Sequence, residues 1–311
     1  MPRVGNPVVM TWESGSDGPL FILAMDHRDS FGKTLFGVAG DEPDPDQLAG
    51  IKQAKRLIFE GLEVAAAQLP TGRAGVLVDE QYGQDVIDKI PRDEDGVVLA
   101  VPIEASGQEW FTFQWASQWL EHIDQIRPDF AKVLVRDNPD FPVGAREQQF
   151  DLLADVTEKL GDLGVPMLYE LLVPATEAQL HSVGGDAYRY DRDLRPELVE
   201  RVIADNQRHG VAPAIWKVEG LETVEAARLI AGQVKAGDSH ADLIVLGRDA
   251  PQERLYHWLE VASEVPEFVG FAIGRSIWED AIREHNENHD DEAARKAIAQ
   301  RYLDCVARWK A

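Results

Sequence analysis

The sequence contains little cysteine and no long apolar run. Cys305 is the single cysteine, which excludes an internal disulfide and a cysteine-rich zinc site and is typical of a reducing cytoplasm. No apolar stretch reaches the roughly 18 residues that a membrane-spanning helix needs. The N-terminal MPRVGNPVVM also lacks the apolar core of a secretory signal. We therefore expect a cytoplasmic protein with no membrane partner.

Basic residues are scarce relative to acidic ones. The 31 Lys and Arg side chains against 55 Asp and Glu give a formal net charge of -24 at pH 7. This charge disfavours nucleic acid and anionic membranes as partners, because both are polyanionic. A small anionic substrate stays compatible with it, since such a substrate needs only a local cationic pocket.

The length and the apolar content limit the architecture. With 311 residues, of which 44% are hydrophobic, the chain can bury a large core, so wholesale disorder is excluded. About 150 residues per domain would give two domains, whereas one α/β barrel also fits this length.

Short apolar runs rich in β-branched residues alternate along the chain with longer segments of helical periodicity. The apolar runs are eight in number and cover 20–26, 75–80, 97–104, 130–136, 165–173, 213–219, 242–248 and 268–275. The helical patterns cover 46–69, 110–123, 146–160, 195–209 and 224–235, and 81–96 has room for a short helix only.

This alternation predicts an α/β fold, the (β/α)8 TIM barrel. The rival doubly wound sheet would carry a glycine-rich phosphate loop after an early strand, and the DHRDSFG that follows the first run is not such a loop. We predict a single domain over 1–311, with the barrel over about 18–283 and a C-terminal helical extension over about 284–311.

The active site of such a barrel lies at the C-terminal ends of its strands. Polar residues and glycines stand within or directly after all eight apolar runs. They are Asp26, His27, Arg28, Asp79, Glu80, Glu104, Lys132, Arg136, Glu170, Lys217, Glu219, Gly247, Arg248, Gly274 and Arg275.

Two lysines stand inside strands rather than after them. In the fourth run Ala131, Val133 and Val135 form the set that suits the helix layer. Because alternate side chains face opposite sides of a strand, Lys132 should point into the barrel. The same alternation in the sixth run points Lys217 inward.

A lysine buried between apolar neighbours is costly unless it is paired or neutral. Beside a second cation its pKa falls, and the neutral amine can attack a ketone and form a Schiff base. The iminium then accepts the electrons of a breaking C–C bond. Glu170 could act as general acid/base for the hydroxyl that becomes a carbonyl.

The last two strands suit a phosphate group. Gly247 and Gly274 permit close backbone approach, and Arg248 or Arg275 could add charge-assisted hydrogen bonds. Two other interpretations stay open: a structural Lys–Glu pair, and a divalent cation held by strand-end carboxylates. Those carboxylates are Asp26, Glu80, Glu104, Glu170 and Glu219.

Six motifs occur in order along most strands: AMDHR (24–28), VDEQYG (78–83), AKVLV (131–135), YELL (169–172), WKVEG (216–220) and GRSIW (274–278). Together they resemble the class I aldolase family of tagatose-1,6-bisphosphate and sulfofructosephosphate aldolases. The opening FILAMDHRDSF is closer to the aldolase-like domain of inositol catabolism, which is associated with cleavage of 2-deoxy-5-keto-gluconate 6-phosphate and is fused there to a sugar kinase. We expect a stand-alone version of that domain.

The resemblance implies roles for individual residues. Lys217 would form the Schiff base, Glu170 would be the acid/base residue and Lys132 the neighbouring cation. Asp26 and Arg28 would contact the substrate near the imine and its phosphate. Gly274 and Arg275 would hold the phosphate.

The remaining candidates for substrate or phosphate binding are His27, Arg136, Gly247 and Arg248. The sequence departs from the tagatose branch at two of them. His27 stands where that branch has glutamine, and LGRDAP around Arg248 replaces a serine/glycine-rich turn. Arg248 would bind an anionic group or pair with a nearby acid. The long segment 174–196 is a hypothetical lid.

We therefore predict a class I aldolase that acts on a phosphorylated sugar, with dihydroxyacetone phosphate as one product, and needs neither metal nor cofactor. The alternatives are a metal-assisted isomerase or lyase and a catalytically silent sugar-phosphate-binding barrel. The helix pair near 276–310 fits packing on the barrel or a subunit contact, so a homo-oligomer stays open.

Overall fold

Eight parallel strands form a closed barrel in which each strand pairs with the next and the last pairs with the first. The computed structural model describes residues 18–40, 42–69, 72–91, 96–238 and 240–309. The strands are β1 (Leu20–Ala24), β2 (Arg73–Leu77), β3 (Val98–Pro102), β4 (Phe130–Arg136), β5 (Met167–Leu172), β6 (Ile215–Glu219), β7 (Asp242–Leu246) and β8 (Phe268–Ile273). The predicted (β/α)8 fold is confirmed.

Helices follow the strands and surround the barrel. The described residues form α1 (Asp29–Phe36), α2 (Pro45–Ala66), α3 (Glu80–Ile87), α4 (Trp119–Ile126), α5 (Val143–Leu163), α6 (Glu177–Ser182), α7 (Ala187–Arg189), α8 (Arg195–Arg208), α9 (Val224–Gly237), α10 (Gln252–Ser263), α11 (Arg275–Asn288) and α12 (Asp291–Val306). Capping side chains explain where two of these helices begin. Asp44 caps α2 with Pro45 in its first turn, and Thr223 caps α9.

The helix predicted over 110–123 is wrong in its first half, because α4 begins only at Trp119. The backbone instead returns to β3: Ala105 N–H donates to Thr112 O at 2.8 Å, and Gln114 N–H donates to Ile103 O at 2.9 Å. The aromatic side chains whose spacing resembles that of a helix instead pack the hairpin against α4. Phe113 stacks on Trp119, with 4.8 Å between the ring centroids.

The alternation of side chains along the strands divides the core into two layers. Leu20, Ile22, Phe130, Leu168 and Ile215 belong to the cluster that fills the barrel, and the opposite faces of the strands pack against the helices. Because residues 131, 133 and 135 belong to the outer layer, Lys132 projects inward.

The C-terminal helices pack on the barrel rather than standing apart from it. α12 lies against α2, and Tyr302 on α12 donates a hydrogen bond to Phe21 O at 2.6 Å. The division of the chain into one domain, and its oligomeric state, stay predictions. No helix in the described part of the chain is long and apolar enough to cross a membrane.

Candidate active site

A cavity of about 560 Å³ opens at the C-terminal ends of the strands. This volume is within the usual range for small-molecule sites. The residues predicted for the site number eleven, and all of them line this one cavity: Asp26, His27, Arg28, Lys132, Arg136, Glu170, Lys217, Gly247, Arg248, Gly274 and Arg275. Their contacts restrict what each of them can do.

Glu170 connects the two inward lysines. It lies opposite Lys217 in the β5–β6 register, and its Oε2 is 2.9 Å from Lys217 Nζ. The same oxygen is 2.9 Å from Lys132 Nζ. Lys132 is 1% exposed and Lys217 is 2% exposed, so the Glu170 carboxyl group stands between two buried lysine nitrogens.

Lys132 has two further carboxylate partners. Its Nζ donates to Asp26 Oδ2 at 2.8 Å and to Glu104 Oε1 at 2.7 Å. Burial alone would lower the pKa of Lys132, but Asp26, Glu104 and Glu170 outweigh it and hold that pKa above its ordinary value. Of the two states that a buried lysine can take, Lys132 adopts the charged and paired one.

The three carboxyl groups around Lys132 differ in their ionisation. Burial raises the pKa of each, but the charge of Lys132, with Lys217 beside it, holds the pKa values of Asp26 and Glu170 below their ordinary ranges. For Glu104, burial prevails over Lys132 and Arg28, and its pKa is raised. The cluster therefore contains two stabilised carboxylates and one carboxyl group that holds its proton more strongly.

A buried lysine that the sequence analysis missed supports this cluster from α2. Lys55 Nζ donates to Met25 O at 2.6 Å and to His27 O at 3.1 Å, and it forms an ion pair with Asp79. These bonds hold the backbone on both sides of Asp26. The signal was present, because Lys55 lies on the apolar face of α2 four residues after the buried Ile51.

His27 contributes a neutral imidazole to the cavity wall. Burial, with the charges of Arg275 and Lys217, lowers the pKa of His27 to about 4 against the opposing effect of Asp26. Its Nδ1 lies 3.9 Å from Asp26 Oδ1 and has no hydrogen-bond partner among the described residues. The ring packs edge-on against Trp278.

Arg28 and Arg136 hold the hairpin that follows β3. The buried Arg28 donates to Gln114 Oε1 at 2.8 Å and to Glu104 O at 2.7 Å. Arg136 donates to Gln108 O at 2.8 Å from the end of β4. Both arginines face the cavity, but these bonds also give them a structural role.

The backbone packs closely against its neighbours where β8 ends. A Cβ at Gly274 would lie 2.5 Å from Ala24 O, so only glycine fits there. The helix α11 starts at Arg275, and a helix N-terminus attracts anions. The Arg275 side chain is about two-fifths exposed, and its Nη1 lies 3.2 Å from Asp249 Oδ2.

Arg248 is paired with acids. Its Nη1 is 2.7 Å from Asp191 Oδ1 and its Nε is 3.0 Å from Glu219 Oε1. Of its two predicted roles, the structure shows the pairing. Asp191 belongs to the 174–196 segment, so this pair ties that segment to the rim of the barrel. Its closure as a lid stays a hypothesis.

The five strand-end carboxylates do not converge on one point. Glu80 accepts from Trp115 at 2.5 Å and pairs with His122, while Glu219 faces Arg248. Asp26, Glu104 and Glu170 surround an ammonium group. Within the described ranges, no group of three or more His, Cys, Asp and Glu side chains is arranged to hold a metal ion.

Comparison with solved structures returns barrels of the same kind. A structural-genomics protein from Corynebacterium glutamicum is 18% identical, with a TM-score of 0.55 over 94% of this chain and 88% of that one. The fructose-bisphosphate aldolase of Plasmodium falciparum is 12% identical, with a TM-score of 0.64 over 93% and 91%. That of Slackia heliotrinireducens is 12% identical, with a TM-score of 0.55 over 91% and 86%. At these identities the likeness shows the fold.

Sequence comparison gives one family. The family described as "Uncharacterized protein conserved in bacteria (DUF2090)" matches residues 9–311. A comparison with curated proteins finds no match.

Proposed function

The chain belongs to the DUF2090 family, and we propose that it is a class I aldolase that cleaves or forms a ketose phosphate through a Schiff base on Lys217. The observation that carries the proposal is the buried triad at the cavity floor. Glu170 Oε2 lies 2.9 Å from Lys217 Nζ and 2.9 Å from Lys132 Nζ. An amine, a carboxylate base and a fixed cation thus meet in one enclosed space.

The reaction follows from this arrangement. The Lys217 amine, once it has given a proton to solvent, attacks the ketone carbon, and loss of water leaves an iminium. The Glu170 carboxylate then takes the proton of the hydroxyl on the carbon at the far end of the breaking bond. The C–C bond breaks, its electrons form an enamine on Lys217, and an aldehyde leaves. Protonation of the enamine carbon and hydrolysis release the second product.

The phosphate side of the cavity supports the substrate class. The start of α11 and the Arg275 side chain, both at the cavity, suit the phosphate of dihydroxyacetone phosphate as one product. The proposed substrate is 2-deoxy-5-keto-gluconate 6-phosphate or a related sugar phosphate. The reaction uses side chains of this chain alone.

Borohydride trapping tests the proposal. Incubation with dihydroxyacetone phosphate and sodium borohydride should add the mass of the reduced adduct at Lys217. Lys217→Ala should abolish the adduct, and the exposed control Lys89→Ala should keep it. No trapping, with activity lost to a chelator, would support the metal-assisted alternative. No trapping and no chelator effect, with measurable ligand binding, would support the silent barrel.

A further inference from the structure

Glu104 lies in the cavity wall at the end of β3, and the surrounding backbone holds it in place. It forms an isolated antiparallel bridge with Phe113, and its carbonyl accepts a hydrogen bond from Arg28 at 2.7 Å. The side chain lines the same cavity as Lys217. Its position therefore depends on the hairpin after β3, a feature that the strand pattern did not predict.

The two carboxyl oxygens of Glu104 have different environments. Oε1 accepts from Lys132 at 2.7 Å, with Arg28 Nη2 at 3.7 Å. Oε2 is shielded from solvent and has no hydrogen-bond partner in the part of the chain that the structure describes. The residue as a whole is 6% exposed. A buried carboxylate oxygen without a donor is costly. A proton on this carboxyl group would lower that cost, because burial penalises the charged form.

The contrast with Glu170 indicates a division of roles. Glu170 contacts two lysine Nζ atoms, at 2.9 Å each, whereas Glu104 contacts one at hydrogen-bond distance. Lys132 Nζ bonds to both carboxyl groups, which places them on either side of one cation. Burial raises the pKa of Glu104, while Lys132 and Lys217 lower that of Glu170. Two carboxyl groups whose ionisation is driven apart suit an acid and a base.

We propose that Glu104 is a second catalytic residue of this site, the acid that protonates the carbinolamine hydroxyl when the Schiff base forms on Lys217. The inference rests on the proposed aldolase function. The proton moves from Glu104 to the hydroxyl oxygen, the C–O bond breaks, and water leaves. The nitrogen lone pair forms the C=N bond, so the products are an iminium, water and the Glu104 carboxylate. In the hydrolysis that ends the cycle, the carboxylate takes a proton from the attacking water.

The test measures the rate of adduct formation at Lys217 with dihydroxyacetone phosphate and borohydride, as a function of pH. In the wild type, this rate should fall as pH rises through the pKa of Glu104, because the acid is lost. Glu104→Gln should slow adduct formation at least about 100-fold, in line with general acid catalysis, and should remove that decline. Its final adduct yield should equal the wild type's, since glutamine replaces a neutral acid without a change in charge.

Two further variants make the test specific. Glu104→Asp keeps a carboxyl group and should retain a pH-dependent decline at a lower rate, which a purely structural role would not require. Glu80→Gln changes a strand-end carboxyl that does not line the cavity and should keep the wild-type rate and profile.

The outcomes separate the two proposals. Wild-type rate and pH profile in Glu104→Gln, with trapping still lost in Lys217→Ala, would overturn the role of Glu104 and leave the aldolase proposal intact. An unfolded Glu104→Gln would move the decision to Glu104→Asp, whose pH-independent rate would overturn the role. Absence of trapping in the wild type would overturn both.

Discussion

Glu170 on β5 and Lys217 on β6 face each other in the barrel register, and their side chains meet at 2.9 Å inside the sheet. Lys132, from the strand on the other side of Glu170, contacts the same oxygen. Three neighbouring strands supply these groups, and the hydrogen-bonded sheet fixes the backbone from which each side chain extends. A fixed backbone helps to hold the distances on which proton transfer and bond cleavage depend.

Replacement of Lys132 by methionine should move the acidic limb of the pH–activity profile upward. Lys132 holds the pKa of Glu170 below its ordinary range against the effect of burial, and activity requires the ionised base. Without Lys132, that pKa should rise by at least about one unit, so activity should fall at a higher pH than in the wild type. The measurement is kcat/KM against pH for Lys132→Met, with Lys89→Met as the surface control. An unchanged acidic limb would remove Lys132 from this role.

Stability should decrease from pH 6.5 towards pH 4, in part because of His27. Its folded pKa of about 4 lies below the ordinary 6.5, so in this window the unfolded chain binds a proton that the folded chain does not. The contribution of the neutral imidazole to the free energy of unfolding is therefore fully present above pH 6.5 and is lost as pH falls. The loss should be roughly 2–3 kcal/mol, since each pKa unit corresponds to about 1.4 kcal/mol.

Urea unfolding of wild type and His27→Gln at pH 7 and pH 4.5 measures this contribution. The variant should lose less stability between the two values than the wild type, because glutamine does not titrate. His240→Gln, at an exposed position, should behave as the wild type. Equal losses in wild type and His27→Gln would contradict the shifted pKa.

Arg275→Ala should weaken phosphorylated ligands more than their unphosphorylated analogues. A charge-assisted hydrogen bond contributes about 1.5–3 kcal/mol, so the loss should be roughly 10- to 100-fold for dihydroxyacetone phosphate. Dihydroxyacetone itself should bind or react as with the wild type. Arg283→Ala, on the exposed side of α11, is the matched control. Equal weakening of both ligands would argue against a phosphate contact.

Lys55→Met should destabilise the fold strongly. It leaves the buried Asp79 without its cation and removes the donor for Met25 O and His27 O. Removal of one partner of a buried ion pair costs about 3–5 kcal/mol, which urea unfolding would detect. Asp79→Asn in the same chain should recover part of that loss, because it removes the unpaired charge. A loss below 1 kcal/mol would show that the contacts contribute little.

Much of the fold could be predicted from local pattern. The apolar runs match the eight strands because a parallel barrel buries both faces of each strand. The alternation of apolar and polar positions placed Lys132 and Lys217 inside for the same reason. The predicted site residues share one cavity because the C-terminal ends of all parallel strands meet at one face of the barrel.

The sequence by itself therefore determined the strands, the inward lysines and the strand ends that carry the candidate site, since each depends on periodicity along a single element. Only the tertiary structure decided the partners. The contacts of Lys132 with Asp26 and Glu104, of Arg248 with Asp191, and of Lys55 with the Met25 carbonyl join residues far apart in the chain. Such pairings depend on barrel closure and on the paths of loops, and local periodicity carries no information about either.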